Sequence, residues 1–200
     1  MPLFSGSRLS ATRSAESALP IRADLLKDYL QLTRPRIVVM VLFALAAAAW
    51  TCGMQTPSWI VLLHAIIGTG LVTGGSVALN QWFEYRSDSL MARTARRPIP
   101  DGRLSPQHGL AFGIILSLSG LAYLVIFSTP LVMSVAAVSW VFYVLLYTPL
   151  KAISVWQLPV GAVAGAMPML IGGAVADAVI SPLALTLFAI VFFWQFPHAI

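Results

Sequence analysis

The chain has 200 residues, 58% of them hydrophobic and only 10% charged, whereas about a quarter of residues are charged in a soluble domain. Its 12 Lys/Arg against 7 Asp/Glu leave a net charge of +5, yet the basic residues lie between long apolar runs. Membrane topology accounts for them there, and a nucleic-acid partner is set aside.

The charges are segregated. Ile37–Phe83 and Leu104–Leu150 carry none, and Ala152–Ile200 carries only Asp177. Runs this long exceed the roughly 20 apolar residues that cross a bilayer as a helix. They lack the two-residue alternation of a membrane barrel. The fold class is therefore all-α, a polytopic membrane helix bundle in a lipid bilayer.

Residues 1–36 form a polar tail with no apolar core, which rules out a secretory signal peptide. Arg8, Arg13 and Arg22 against Glu16 leave a mitochondrial transit peptide open beside the preferred reading, a disordered bacterial tail. Asp24–Leu32 is expected to lie at the interface as a short amphipathic helix, with Leu25, Leu26, Tyr29 and Leu30 toward lipid. Pro35 ends it.

Residues 37–200 then read as a transmembrane domain of six spans. They are Ile37–Gly53, Trp59–Phe83, Gly109–Phe127, Leu131–Tyr147, Val155–Ala176 and Leu183–Ile200. Pro149, Pro159, Pro168 and Pro197 are expected to kink or break the later ones. Gly70 and Gly74, and Gly161 and Gly165, stand four apart, which predicts close helix–helix approach. Cys52, the lone cysteine, can form no intrachain disulfide and reads as a small buried hydrophobe. His64 reads as a hydrogen-bonded packing residue, and Trp59, Trp156 and Trp194 as an interfacial belt.

Six Lys/Arg lie in the tail, five between the second and third spans, and Lys151 after the fourth. The intervening loops on the other side hold none. The positive-inside rule thus puts the N-terminus and the basic loop in the cytoplasm, at a bacterial inner membrane, or in the matrix of a mitochondrion.

The second span ends in a polar block, Asn80-Gln-Trp-Phe-Glu84-Tyr-Arg-Ser-Asp88. Asn80, Glu84 and Asp88 fall at i, i+4 and i+8, on one helix face. Stacked carboxylates repel and a buried amide needs a partner, so a hard cation such as Mg²⁺ would relieve both. Solvated charges at a helix end are the plainer alternative. Downstream, Arg93, Arg97 and Arg103 could grip a diphosphate bidentately, or merely set topology and touch anionic lipid. Lys151, four residues after Tyr147, could simply snorkel to the interface.

Asn80 to Asp88, followed by Arg93-Thr94 and Arg97-Pro-Ile-Pro-Asp-Gly-Arg103, resembles the first acidic motif and loop of the UbiA superfamily of membrane prenyltransferases, in particular its haem O synthase (protoheme IX farnesyltransferase) branch. Leu32-Thr-Arg-Pro-Arg36, Tyr147-Thr-Pro-Leu-Lys151, Gly161–Pro168 and Phe192-Phe-Trp-Gln-Phe-Pro-His198 carry the same resemblance. Glu84 stands where aspartate is usual, and Gln157 and Met169 replace an expected asparagine and proline. The resemblance implies a UbiA-type bundle of nine spans that moves a farnesyl group from farnesyl diphosphate to a vinyl group of haem B, making haem O for terminal oxidases.

By the same resemblance, Asn80, Glu84 and Asp88 hold Mg²⁺ and serve catalysis, and Arg93, Arg97, Lys151 and Tyr147 face the diphosphate. Trp82 and Tyr147 offer aromatic faces to the cation, and His198 lies on the haem side. A haem A synthase or an oxidase-assembly protein is the implied partner. The second acidic motif is expected after the sixth span, so the expectation is that these 200 residues represent the first six of nine helices and lack turnover alone. Two other readings compete: a UbiA enzyme acting on a quinone precursor, and a non-catalytic haem-handling protein.

Overall fold

A computed structural model of the chain describes residues 24–53, 57–151 and 153–199, with side chains up to Pro197. The described residues are helical, with no strand among them. Helix α1 covers residues 24–33. It is followed by α2 (Pro35–Cys52), α3 (Trp59–Asp88), α4 (Pro106–Phe127) and α5 (Pro130–Trp140). The last of these runs through a π-helical segment, Val141–Tyr147, into a closing turn α6 (Thr148–Leu150). Helices α7 (Gln157–Val175) and α8 (Pro182–Ala199) complete the described order.

Helix starts obey local chemistry. Pro35, Pro106, Pro130 and Pro182 each open a helix, where a missing N–H costs nothing and φ is already set. Ser105 Oγ accepts from the His108 N–H and Thr129 Oγ1 from that of Val132, both at 3.3 Å. Pro35 thus begins α2 as much as it ends α1, with Arg34 between them in the left-handed region (φ 46°).

Among the described residues five segments are long and apolar enough to cross a membrane, α2, α3, α4, Pro130–Leu150 and α7, while the sixth expected span is a shorter apolar helix, Pro182–Pro197. Their outward faces are apolar, with Phe43 76%, Trp59 68% and Ile115 67% exposed. Only lipid can solvate such a surface cheaply. Leu45, Leu62, Val72, Leu124 and Ile171 pack inside, where α2, α3, α4 and α7 meet α5.

Helices α3 and α4 cross closely, and the glycines that let their backbones meet are not the expected pair, of which Gly74 meets only the side chains of Leu116 and Thr33. A Cβ on Gly75 would lie 2.6 Å from Ser117 N, and one on Gly120 2.7 Å from Val72 N. A Cβ on Gly70 would meet only side chains, Leu42 at 3.4 Å and Val38 at 4.0 Å. Gly161 and Gly165 do not bring backbones together either: they make room for the Tyr147 ring and the Gln195 amide. Four-residue spacing identifies a face without saying what packs there.

Helix α1 corrects a second expectation. Leu25, Leu26 and Leu30 are exposed, but Tyr29 turns inward onto Phe112, ring centroids 5.0 Å apart. With Leu32 it joins Ala78, Ile99 and Leu104 in a small core beneath the loop 89–105. Gln81 Nε2 donates to Leu32 O at 2.6 Å, tying α1 to α3. His64 behaves as a packing residue, with Nδ1 2.8 Å from the Tyr123 hydroxyl and its ring stacked on Phe127. Asp177 takes a left-handed turn (φ 52°) just past α7.

Candidate active site

The last turns of α3 present Asn80, Glu84 and Asp88 on one side. Asn80 and Asp88 are buried, 5% and 2% exposed. The chain then doubles back through tight turns. Thr94 Oγ1 donates to Asp88 O at 2.9 Å, Leu104 N–H donates to Pro98 O at 3.0 Å, and Gly102 supplies a left-handed residue (φ 75°). A side chain there would be strained. The fold-back sets Arg93 and Arg97 over the end of α3.

A cavity of about 370 Å³ lies between these elements. Its walls carry Asn80, Glu84, Arg93, Thr94 and Arg97 from α3 and the loop, and Arg34 from the α1–α2 junction. Tyr143, Tyr147 and Lys151 close the far side. Four cations thus face one carboxylate among the described residues, which is the electrostatics of an anion site. Arg34 shows the strain of that crowding. Burial, and then the neighbouring Arg97, push its pKa below the ordinary arginine value, with Tyr143, Asp88 and Glu84 offsetting part of the shift. A bound anion would relieve it.

Lys151 Nζ sits 2.8 Å from Glu84 Oε1, an ion-pair separation, yet off the line of a hydrogen bond. That oxygen is buried without a hydrogen-bond donor. No group of three His, Cys, Asp or Glu side chains converges among the described residues. Mg²⁺ does not require one, because it is usually held by one or two carboxylates with waters and substrate phosphates. Glu84, whose buried Oε1 has the Lys151 ammonium beside it but no hydrogen bond, fits that role.

Of the residues singled out in the sequence, six share this cavity: Asn80, Glu84, Arg93, Arg97, Tyr147 and Lys151. Asp88 is not on its wall; it lies behind Arg97, whose Nη1 donates to Asp88 Oδ2. The sequence predicted an oxygen ladder, and tertiary folding has used its last rung to hold an arginine. Arg103 is also diverted: it pairs with buried Asp28 of α1 and with Asp101 at 2.8 Å, and donates to Arg96 O at 2.9 Å. Trp82 packs into the small core beneath the loop, away from the cavity. The His198 side chain lies outside the described residues.

Arg34 and Thr148 stood in the sequence only as members of segments that carry the resemblance, with no role assigned, and Tyr143 was not singled out. Arg34 had one signal, a cation immediately before the proline that opens a span. Tyr143 had another, an aromatic four residues before Tyr147. In the structure the two tyrosines stack at 5.5 Å along the π-helical segment. Widening of the helix there has a cause. The ring of Pro149 would clash with the carbonyl four residues back, and a looser turn avoids it.

A second, largely apolar cavity of about 500 Å³ shares Tyr143, Tyr147 and Lys151 with the first. It runs between α3, α5 and α7 past Val72, Trp140, Gly161 and Ile171, with Gln195 of α8 at its edge. A cationic chamber thus abuts an apolar one.

The Arg103–Asp28 bridge yields a prediction. Replacing Arg103 by alanine strands a buried carboxylate, an expected loss of about 3 kcal/mol locally. Hydrogen exchange over 89–105 should accelerate while that of α4 stays unchanged. Equal protection in variant and parent would show that the bridge does not hold the loop.

Comparison with known proteins bears on the identity of this site. Protoheme IX farnesyltransferase of Solibacter usitatus (strain Ellin6076) is 41% identical over 182 residues, 86% of this chain and 62% of that protein. The enzyme of the same name from Koribacter versatilis (strain Ellin345) is 37% identical, covering 94% and 62%. That of Symbiobacterium thermophilum is 38% identical, covering 88% and 59%. The chain therefore spans about three fifths of the length of these relatives. A solved structure from a study of digeranylgeranylglyceryl phosphate synthase in membranes superposes with a TM-score of 0.74 at 18% identity, over 85% of this chain and 59% of that one. This last likeness concerns the fold alone. The profile of the UbiA prenyltransferase family matches residues 40–200, and on that match, with relatives this similar along most of its length, the chain belongs to the UbiA prenyltransferase family.

Proposed function

We propose that the protein transfers a farnesyl group from farnesyl diphosphate to a vinyl group of haem B, giving haem O. The observation that carries this reading is the junction of the two cavities at Tyr143, Tyr147 and Lys151. A prenyl diphosphate has a strongly anionic head and a long apolar tail, and two adjoining cavities of these characters support a pose with the bond between head and tail at their junction.

Arg34, Arg93, Arg97 and Lys151 bind the diphosphate oxygens, and Glu84 would hold Mg²⁺. When bound, the cation neutralises charge on the leaving diphosphate. As the farnesyl C1–O bond breaks, the electron pair stays with the diphosphate. Positive charge grows at C1 next to the Tyr143 and Tyr147 rings, whose faces stabilise it. The terminal vinyl carbon of haem B bonds to C1, and the cation left on the inner vinyl carbon takes the oxygen of a water, which releases a proton. Apolar walls delay premature capture of the first cation by water. Lys151 exchanges its contact with Glu84 for the diphosphate, so that no buried charge is left alone.

The positive-inside count supports placing the cationic cavity on the cytoplasmic face of a bacterial inner membrane, where diphosphate metabolites and Mg²⁺ are at hand. Haem O leaving the site is a substrate for a haem A synthase or for oxidase assembly.

The test is binding and transfer by the protein reconstituted in lipid. Farnesyl diphosphate should be retained with Mg²⁺ and released by chelator. Transfer to haem B, read by mass as a hydroxyethylfarnesyl chain, is expected where the second acidic motif is also present, and these 200 residues alone are expected to lack turnover. Prenylation of an aromatic acid in place of haem would move the reading to a quinone precursor. Failure to retain farnesyl diphosphate under any condition would end it.

A further inference from the structure

Thr148 is buried, 2% exposed, at the exit of the π-helical segment. Its hydroxyl lies 2.8 Å from Tyr143 O and 3.1 Å from Asn80 Oδ1. A hydroxyl has one proton to give. The Tyr143 carbonyl already accepts the backbone N–H of Thr148, whereas Asn80 Oδ1 has no other donor among the described residues. Both acceptors lie within reach of that proton. Two oxygens facing each other at 3.1 Å attract only with a proton between them, so the Asn80 contact needs it, whereas the Tyr143 carbonyl keeps its backbone N–H either way. An amide's orientation is set by the hydrogen bonds it makes, and capping Oδ1 from this side turns Nδ2 the other way. Asn80 Nδ2 has no acceptor among the described residues, is not enclosed, and belongs to a residue on the wall of the cationic cavity.

We infer that Thr148 is a positioning residue that holds the Asn80 amide with its nitrogen toward the cavity, so that Asn80 meets the diphosphate as a hydrogen-bond donor and is not a ligand of the cation. This deepens the proposed function and rests on it. The donor adds to Arg93 and Arg97 on the anion, and the hard-cation role falls to Glu84 with substrate oxygens. Pro149 enters indirectly: the wider turn it imposes carries the Thr148 hydroxyl across to α3.

Asn80 is the chain's single asparagine, so selective ¹⁵N-asparagine labelling gives one side-chain amide signal in the full chain in nanodiscs. Inorganic diphosphate added without divalent metal should shift that signal, and Mg²⁺ alone should not. Asn80→Asp puts a carboxylate where the donor was, and diphosphate affinity should fall about tenfold or more at every Mg²⁺ concentration. Thr148→Val should weaken diphosphate binding about tenfold, and Thr148→Ser should restore it to within about twofold. A signal moved by Mg²⁺ alone, or an Asn80→Asp chain that binds as well as the parent once Mg²⁺ is raised, would make Asn80 a metal ligand and overturn the inference. If the parent itself ignores diphosphate, the functional reading fails along with it. If the parent binds and both variants match it, only the role given to Thr148 and Asn80 fails.

Discussion

Glu84→Gln is expected to erase the Mg²⁺ dependence of farnesyl diphosphate binding and, in a protein that also carries the second acidic motif, to lower farnesyl transfer by about 10²–10³-fold. The substitution keeps the shape of the side chain and removes its charge. Two consequences then oppose each other. The cavity becomes more cationic, because Lys151 loses its partner at 2.8 Å, and metal-free attraction for an anion rises. The carboxylate that would hold Mg²⁺ is gone, so added Mg²⁺ contributes nothing further. Binding measured with Mg²⁺ and with chelator should differ widely in the parent and hardly at all in the variant. Asp88→Asn provides the contrast. Asp88 anchors Arg97 from behind the wall, so its loss should weaken diphosphate binding roughly tenfold yet leave the Mg²⁺ dependence in place. A Glu84→Gln chain that still responds to Mg²⁺ like the parent would remove Glu84 from the cation's side.

The second large effect is on stability. Gly75→Val is expected to destabilise the bundle by about 3 kcal/mol or more. The added Cβ would fall 2.4 Å from Ser117 Oγ, 2.6 Å from Ser117 N and 2.8 Å from Gly113 O. Two of those three atoms are backbone and cannot step aside, so α3 and α4 must separate. Gly70→Ala is the control, since its Cβ would only touch Leu42 at 3.4 Å. Thermal unfolding of the reconstituted protein, followed by loss of helical circular dichroism, should begin well below the parent for Gly75→Val and within a few degrees of it for Gly70→Ala. Similar transitions for the two variants would contradict a crossing this close.

These two predictions differ in where their evidence lay. Glu84 was visible in the sequence, because a carboxylate just past a long uncharged run stands out and its spacing from Asn80 defines a helix face. Gly75 was not. Four-residue spacing drew attention to Gly70 and Gly74, but the tightest contacts between α3 and α4 are at Gly68, Gly75, Gly113 and Gly120, and Gly74 only touches the Leu116 side chain at 3.3 Å. Spacing within one helix cannot say which of its faces meets a neighbour, or at what angle. Tyr29 makes the same point from α1. Amphipathic periodicity put it with Leu25 and Leu26 on the lipid side, and contact with Phe112 took it inward.

The cationic residues divide in a similar way. Arg93, Arg97 and Arg103 look alike in the sequence: all three are arginines in one basic loop. Only the fold separates them, by giving Arg103 to Asp28 and Asp101 and Arg97 to Asp88, while Arg93 remains on the cavity wall without such a partner among the described residues. Arg34 is the converse, a residue with a weak local signal that long-range packing carries to within electrostatic reach of Glu84 and Arg97.

By itself the amino-acid order determined the helical membrane class, the limits of five apolar spans to within a few residues, and the placing of Asn80 and Glu84 on one helix face. Each of these depends on hydropathy or on periodicity along one chain segment, and both are local properties. Tertiary structure alone decided that Asp88 backs an arginine, that Thr148 reaches Asn80 across 68 positions, and that a cationic chamber opens beside an apolar one. Those outcomes depend on which helices meet, and the energy that settles it is shared among side chains far apart in the chain.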